Sequence, residues 1–91
     1  MIEEIYVKIE QLLLNLGFNR ATINAKQLFQ QGQSYYKITF IEQFDGFIIE
    51  YAENKQEAEK ELFADGDIYP LALREKLLSK LKSDLLEFYM E

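Results

Sequence analysis

The chain has 91 residues, of which 48% are hydrophobic, and it carries a formal net charge of −6. It contains no cysteine and no histidine, which excludes disulfides, thiolate zinc sites and catalysis by Ser-His-Asp or Cys-His groups. Its length predicts a single domain, residues 1–91, with a thin hydrophobic core.

The first predicted element is an amphipathic helix over residues 2–16. Its apolar residues recur at steps of three and four, which places them on one side of the helix: Ile2, Ile5, Tyr6, Ile9, Leu12, Leu13 and Leu16. Glu3 and Glu4 complement the helix dipole in the first turn, and Gly17 is typical of the residue that ends a helix.

A strand is predicted over residues 21–30, because small and apolar residues alternate with polar ones from Ala21 to Ala25. Leu28 breaks this period, which indicates a bulge or a twist. Residues 30–34 are polar and predict a turn.

A β-hairpin is predicted next, with the pair Asp45-Gly46 as its two-residue type I′ turn. In this register Phe40 faces Tyr51. Alternate residues of the two strands then form the core face: Tyr36, Ile38, Phe40, Phe44, Phe47, Ile49 and Tyr51.

A short helix is predicted after the hairpin. Asn54 and Glu57 have the spacing of a capping box, in which the first residue caps the helix and the second reaches back. The helix should run to about Phe63 and bury Leu62. Residues 65–67, Asp-Gly-Asp, should end it.

Pro70 is predicted to open a final helix, because its missing N–H costs nothing in the first turn. The apolar stripe of this helix consists of Leu73, Leu77, Leu78, Leu81, Leu85 and Phe88, widened by Leu86 and Tyr89. The element order is therefore α-β-β-β-α-α. This order predicts an α+β fold with a three-stranded antiparallel sheet and helices packed on one face.

The negative charge is concentrated in one segment, residues 42–67. Nine acidic residues lie there against Lys55 and Lys60, which gives a net charge of −7. Such a segment could serve only as a solvated surface, or it could attract a basic partner. The residues predicted to bind a partner are Glu50, Tyr51, Glu53, Glu57, Glu61, Asp65, Asp67 and Tyr69, the tyrosines serving as aromatic anchors.

No enzymatic, cofactor or metal site is predicted. The four glycines are isolated, so no phosphate-binding loop is present. Glu42 with Glu53 or Glu50 is the one carboxylate pair that the hairpin could bring together for acid–base chemistry. Residues 65–67 with Glu61 lack the ligand spacing of a calcium loop.

The order α-β-β-β-α is similar to that of the double-stranded-RNA-binding domain, with residues 54–58, Asn-Lys-Gln-Glu-Ala, where that family begins its second helix. The resemblance implies phosphate binding by a lysine cluster at this place. Here the predicted helix that begins at this place carries Lys55 and Lys60 among glutamates. Phosphate binding relies on cations, so no nucleic-acid partner is predicted.

A cytoplasmic location is predicted, without membrane association. Glu3 and Glu4 stand where a signal peptide carries basic residues. No apolar run approaches the roughly 18 residues of a membrane span.

Three functional hypotheses follow. The leading one is a non-enzymatic protein that neutralises or escorts a basic partner, most concretely a toxin-neutralising immunity protein. The second is a dimeric acidic chaperone for a secreted substrate, which requires a homodimer and an exposed apolar groove around Leu78, Leu86 and Tyr89. The third is an enzyme that uses carboxylates alone.

Overall fold

The computed structural model describes residues 2–90, which form a five-stranded antiparallel sheet and three helices. The helices are α1 (Ile2–Asn15), α2 (Lys55–Glu59) and α3 (Lys76–Asp84), and the strands are β1 (Asn19–Ile23), β2 (Lys26–Gln31), β3 (Ser34–Ile41), β4 (Gly46–Ala52) and β5 (Ala64–Pro70). The strands lie in the sheet in sequence order. The predicted α+β class is confirmed. The predicted number of three strands is wrong, because the sheet has five.

The predicted strand over residues 21–30 is in fact two strands, β1 and β2, joined by a tight turn. Asn24 and Ala25 form this turn with φ angles of 55° and 64°, and Ile23 pairs with Lys26 across it. Because the chain reverses here, Leu28 returns to the side of the sheet that Ile23 occupies. The turn was not predicted because Ala25 occupies a position at which such turns usually carry glycine.

The second unpredicted strand is β5, which pairs with β4 along the other edge of the sheet. Residues 65–67 lie within this strand and do not end a helix. The register shifts between Ile48 and Glu50, so that Gly66 and Asp67 together oppose Ile49 as a β-bulge.

The final helix begins later than predicted, because Pro70 ends β5. A 3-10 turn at Leu71–Leu73 follows, and α3 starts at Lys76. After α3 the chain continues through a π-helical turn at Leu85–Tyr89.

The β3–β4 hairpin forms as predicted, but its register is wrong. A 3-10 turn at Glu42–Phe44 and a left-handed Asp45 make the connection, and Phe40 pairs with Phe47 instead of Tyr51. Gly46 already belongs to β4, where an added Cβ would lie 2.7 Å from the Tyr69 carbonyl oxygen. The observed pairing differs from the predicted one by an even number of residues, so each side chain stays on its predicted face of the sheet. The core face therefore keeps the same residues except Phe44, which is 57% exposed in the turn.

The main core lies between this face of the sheet and the helices α1 and α3. Its buried residues are Ile9, Leu13, Phe18, Phe29, Tyr36, Ile38, Phe47, Ile49, Tyr69, Leu77, Leu81 and Leu85. Helix α1 ends close to its predicted boundary, and Gly17 follows it with a φ of 98°, which suits a helix terminus.

Helix α2 packs on the opposite face of the sheet, so the prediction that all helices share one face is wrong. A smaller core there contains Ile23, Leu28, Tyr35, Ala52 and Ala58, with Phe63 packed against it. The side chains of Tyr35 and Ala52 point away from the main core because successive residues of a strand alternate between faces.

The end of α2 explains why Leu62 is 59% exposed instead of buried. Glu61 adopts a left-handed φ of 58°, and the N–H groups of Glu61 and Leu62 donate to the carbonyls of Ala58 and Glu57 at 3.1 and 2.9 Å. This is a Schellman motif, which terminates the helix before Leu62 can join its buried side.

Replacing Ala25 with glycine should raise the free energy of unfolding by about 1 kcal/mol, because a left-handed φ is costly for a residue with a Cβ atom. Urea unfolding measures the change. Ala72→Gly is the matched control, since exposed Ala72 has no left-handed φ, and it should give no gain. Equal effects of the two substitutions would contradict the role assigned to this turn.

Candidate functional site

An open cleft of about 1230 Å³ lies at one end of the sheet. Three parts of the fold meet there: the β2–β3 turn, the end of β4 with the start of β5, and the C-terminal turn. The residues that line this cleft, called the acidic cleft below, are Gln31, Gly32, Gln33, Ser34, Tyr36, Tyr51, Glu53, Asp65, Gly66, Asp67, Phe88, Tyr89 and Met90.

Three tyrosines form the aromatic wall of the acidic cleft. The ring of Tyr89 meets Tyr36 and Tyr51 edge-on, with centroids 6.2 and 5.9 Å apart. The Tyr36 hydroxyl donates a hydrogen bond of 2.8 Å to the backbone carbonyl of Tyr89. These contacts hold the C-terminal turn against the sheet. Phe88, the neighbour of Tyr89, lines the cleft and is 66% exposed.

The bulge in β5 brings Asp67 to the hydroxyl of Tyr89. The Asp67 N–H donates to this hydroxyl, which in turn donates to the Asp67 carboxylate, both at 3.3 Å. Burial raises the pKa of Tyr89. A Cβ on Gly66 would lie 2.6 Å from the Tyr89 hydroxyl and 2.8 Å from the Ile49 carbonyl oxygen, so the approach of these groups requires glycine.

A side pocket of about 350 Å³ adjoins the acidic cleft and shares Tyr51 and Glu53 with it. Its other lining residues are Glu57, Leu62, Phe63 and Ala64. Glu57 also serves the predicted capping box, because its N–H donates to the Asn54 side chain at 2.9 Å and its carboxylate accepts from the Glu53 N–H at 3.1 Å.

The two cavities combine carboxylates and aromatic rings without cations. Glu53, Glu57, Asp65 and Asp67 contribute four carboxylates, and within residues 2–90 no lysine or arginine lines either cavity. None of these four carboxylates forms an ion pair within residues 2–90, although the Lys37 ammonium lies 4.4 Å from the centroid of the Phe63 ring in the side pocket. A guanidinium or ammonium group could pair with these carboxylates and stack on the rings.

Five of the eight residues predicted to bind a partner lie at these cavities. Tyr51, Glu53, Asp65 and Asp67 line the acidic cleft, and Glu57 lines the side pocket.

Glu50 and Glu61 are placed elsewhere, and each is paired with a lysine. Glu50 lies 3.7 Å from the Lys37 ammonium. Glu61 is exposed and forms an ion pair with Lys26, whose hydrogen bond lowers the pKa of Glu61. Both carboxylates are therefore less available to a partner than those of the acidic cleft.

Tyr69 is buried in the main core, with 1% of its surface exposed, so its placement as an exposed anchor is wrong. Its hydroxyl donates to the Asp84 carboxylate at 2.9 Å, and Lys80 donates to the same oxygen at 3.2 Å. Burial, followed by this hydrogen bond, raises the pKa of Tyr69. The prediction for Tyr69 failed because this residue lies in β5, a strand that the sequence pattern did not indicate.

Sequence reasoning missed the turn residues 31–34 and the C-terminal residues Phe88, Tyr89 and Met90 as parts of the site. No signal along the chain joins these segments, since only the fold brings them together. Of the three residues proposed for an apolar groove, Leu78 and Tyr89 pack against the main core and Leu86 is 52% exposed.

Glu42 lies in the β3–β4 turn, whereas Glu50 pairs with Lys37 along β4 and Glu53 follows the far end of β4. The hairpin therefore separates Glu42 from both of its predicted partners. Within residues 2–90 no group of three or more side chains could hold a metal ion. No helix in that range is long and apolar enough to cross a membrane.

No family model, curated protein or solved structure matches the chain. The two additional strands and the position of α2 also depart from the domain order that the sequence resembled.

Replacing Tyr69 with Phe should lower the free energy of unfolding at neutral pH by about 1–3 kcal/mol, because Asp84 loses a buried donor. The raised pKa of Tyr69 means that its ionisation opposes folding. This tyrosine therefore contributes stability that is present below a pH of about 10 and lost as the pH rises further. The variant should lose stability less steeply in that range.

Urea unfolding at neutral pH and at several alkaline pH values measures both effects. An unchanged free energy at neutral pH, or equal alkaline slopes for the two proteins, would contradict the role assigned to Tyr69.

Proposed function

We propose that the chain is a small protein-binding module whose acidic cleft docks a basic segment of one protein partner, and thereby neutralises or escorts that partner. The observation that carries this proposal is the set of four carboxylates, Glu53, Glu57, Asp65 and Asp67, beside aromatic rings and with no lining cation in residues 2–90. Its most concrete form is an immunity protein that acts in the cytoplasm on a basic toxin.

Electrostatic and aromatic contributions have different roles in this proposal. An exposed ion pair contributes only about 0.2–1 kcal/mol, so the carboxylates chiefly accelerate and orient the encounter. Affinity must come from aromatic anchors that a partner can cover. Half-buried Tyr51 and exposed Phe88 lie at the acidic cleft and provide such surfaces.

The dimeric chaperone is retained as a second candidate because Leu86 and Phe88 are exposed close together in the chain. The two candidates differ in the property of the partner that they recognise. A chaperone of this kind would bind an extended apolar segment and tolerate salt, whereas the leading proposal requires a basic segment and weakens with salt.

The double substitution Asp65→Asn with Asp67→Asn should slow association with the partner about tenfold at low salt, because two carboxylates are removed from the docking surface. The partner is first isolated by co-purification from the native host, and the association rate is then measured by stopped-flow fluorescence at several salt concentrations. The variant should also show a shallower dependence on salt.

Glu75→Gln with Glu87→Gln is the matched control. It removes the same amount of charge from exposed residues that do not line the acidic cleft, and it should change the rate much less. The proposal fails if the two double variants behave alike, or if the co-purified partner carries no basic surface.

A further inference from the structure

The two edge strands of the sheet differ in how well they are protected against pairing with another strand. β5 contains a bulge, the carboxylates Asp65 and Asp67, and Pro70 at its end, all of which discourage edge pairing. Its Asp67 N–H is also engaged by the Tyr89 hydroxyl.

β1, at the opposite edge, has no bulge, carboxylate or proline, and Arg20 is its one charged residue. Its five residues pair with β2 without interruption from Asn19 to Ile23. Asn19, Arg20 and Thr22 are exposed. The strand therefore presents a regular and accessible edge.

The hairpin geometry decides which backbone groups face outward from β1. In a two-residue hairpin the residues beside the turn, here Ile23 and Lys26, form a hydrogen-bonded pair, and such pairs alternate along the ladder. Ala21 and Asn19 therefore also bond to β2, while Arg20 and Thr22 direct their N–H and carbonyl groups to the open edge.

We propose that two copies of the chain associate through antiparallel pairing of their β1 strands, with the two Ala21 residues facing each other at the two-fold axis. In this register Arg20 of each copy pairs with Thr22 of the other, and both residues have the outward backbone groups that a hydrogen-bonded pair requires. The two sheets then join into one sheet of ten strands. This dimer is independent of the proposed function, because no residue of β1 lines the acidic cleft.

The side chains fit the same register. The small Ala21 side chains face each other, and Arg20 lies across from neutral Thr22, so no like charges are directly opposite. The two Arg20 side chains become diagonal neighbours at about 7 Å on one face. Their repulsion is screened by salt, so the dimer should become tighter as salt rises, whereas docking of a basic partner should weaken.

Sedimentation equilibrium on the natural protein, from about 10 μM to about 1 mM, should show a monomer–dimer equilibrium governed by mass action. Thr22→Pro should raise the dissociation constant at least tenfold, because it removes an outward N–H that β2 does not use. Thr22→Ala keeps this N–H and is the matched control. Circular dichroism and thermal unfolding show whether each variant is folded.

Two charge substitutions at position 22 test the register in which the two β1 strands pair. Thr22→Arg should weaken the dimer by placing like charges opposite each other, and Thr22→Glu should strengthen it by facing Arg20. The Asp65→Asn, Asp67→Asn variant should leave the dissociation constant unchanged. A monomer at about 1 mM, a dimer insensitive to Thr22→Pro, or equal shifts for arginine and glutamate at position 22 would overturn the proposal.

Discussion

The alternation of side chains along β3 and β4 is the constraint on which the rest of the structure depends. Tyr36, Ile38, Phe47 and Ile49 turn one face of these strands into an apolar surface too large to leave in water. Helices α1 and α3 must therefore cover this face. Tyr35 and Ala52 point to the other side, and they require the separate cover that α2 and Phe63 provide.

The acidic residues between the hairpin and β5 have different tasks, although they are close together in the sequence. Glu57 caps α2, and Glu61 ends that helix while pairing with Lys26. Asp65 and Asp67 have no lysine or arginine partner among the ion pairs within residues 2–90. A segment that looks uniform as a run of charges thus divides into carboxylates that support the fold and carboxylates that face the acidic cleft.

The sequence predicted those elements whose signals are local and agree with one another. The period of α1 and the side-chain alternation of β3 and β4 are of this kind. Prediction failed where the role of a residue depends on contacts outside its own strand or helix, or where the usual local signal is absent. Gly46 resembles a turn residue but is needed for close contact with β5. Ala25 adopts a left-handed φ, and because it is not a glycine the turn could not be recognised from the sequence.

The same distinction explains the outcome at the candidate site. Charge density along the chain drew attention to Glu53, Asp65 and Asp67, which all line the acidic cleft, although the two aspartates lie in β5 and not in the predicted turn that ends a helix. It could not reveal Tyr89, which reaches the site through the packing of the C-terminal turn. Nor could it show that Tyr69 is buried, because that depends on a strand interrupted by a bulge.

The sheet is a meander in which every strand pairs only with its neighbours in the chain. Three of its four connections are short turns, and the fourth carries α2 between β4 and β5. The sheet can therefore assemble by successive pairings of strands that are close in the chain, each at a small entropic cost. The helical layer is different, because α1 and α3 come from opposite ends of the chain and must meet over the finished sheet. A nascent or truncated chain that lacks α3 would therefore carry a nearly complete sheet with an uncovered aromatic face, which is a surface prone to aggregation.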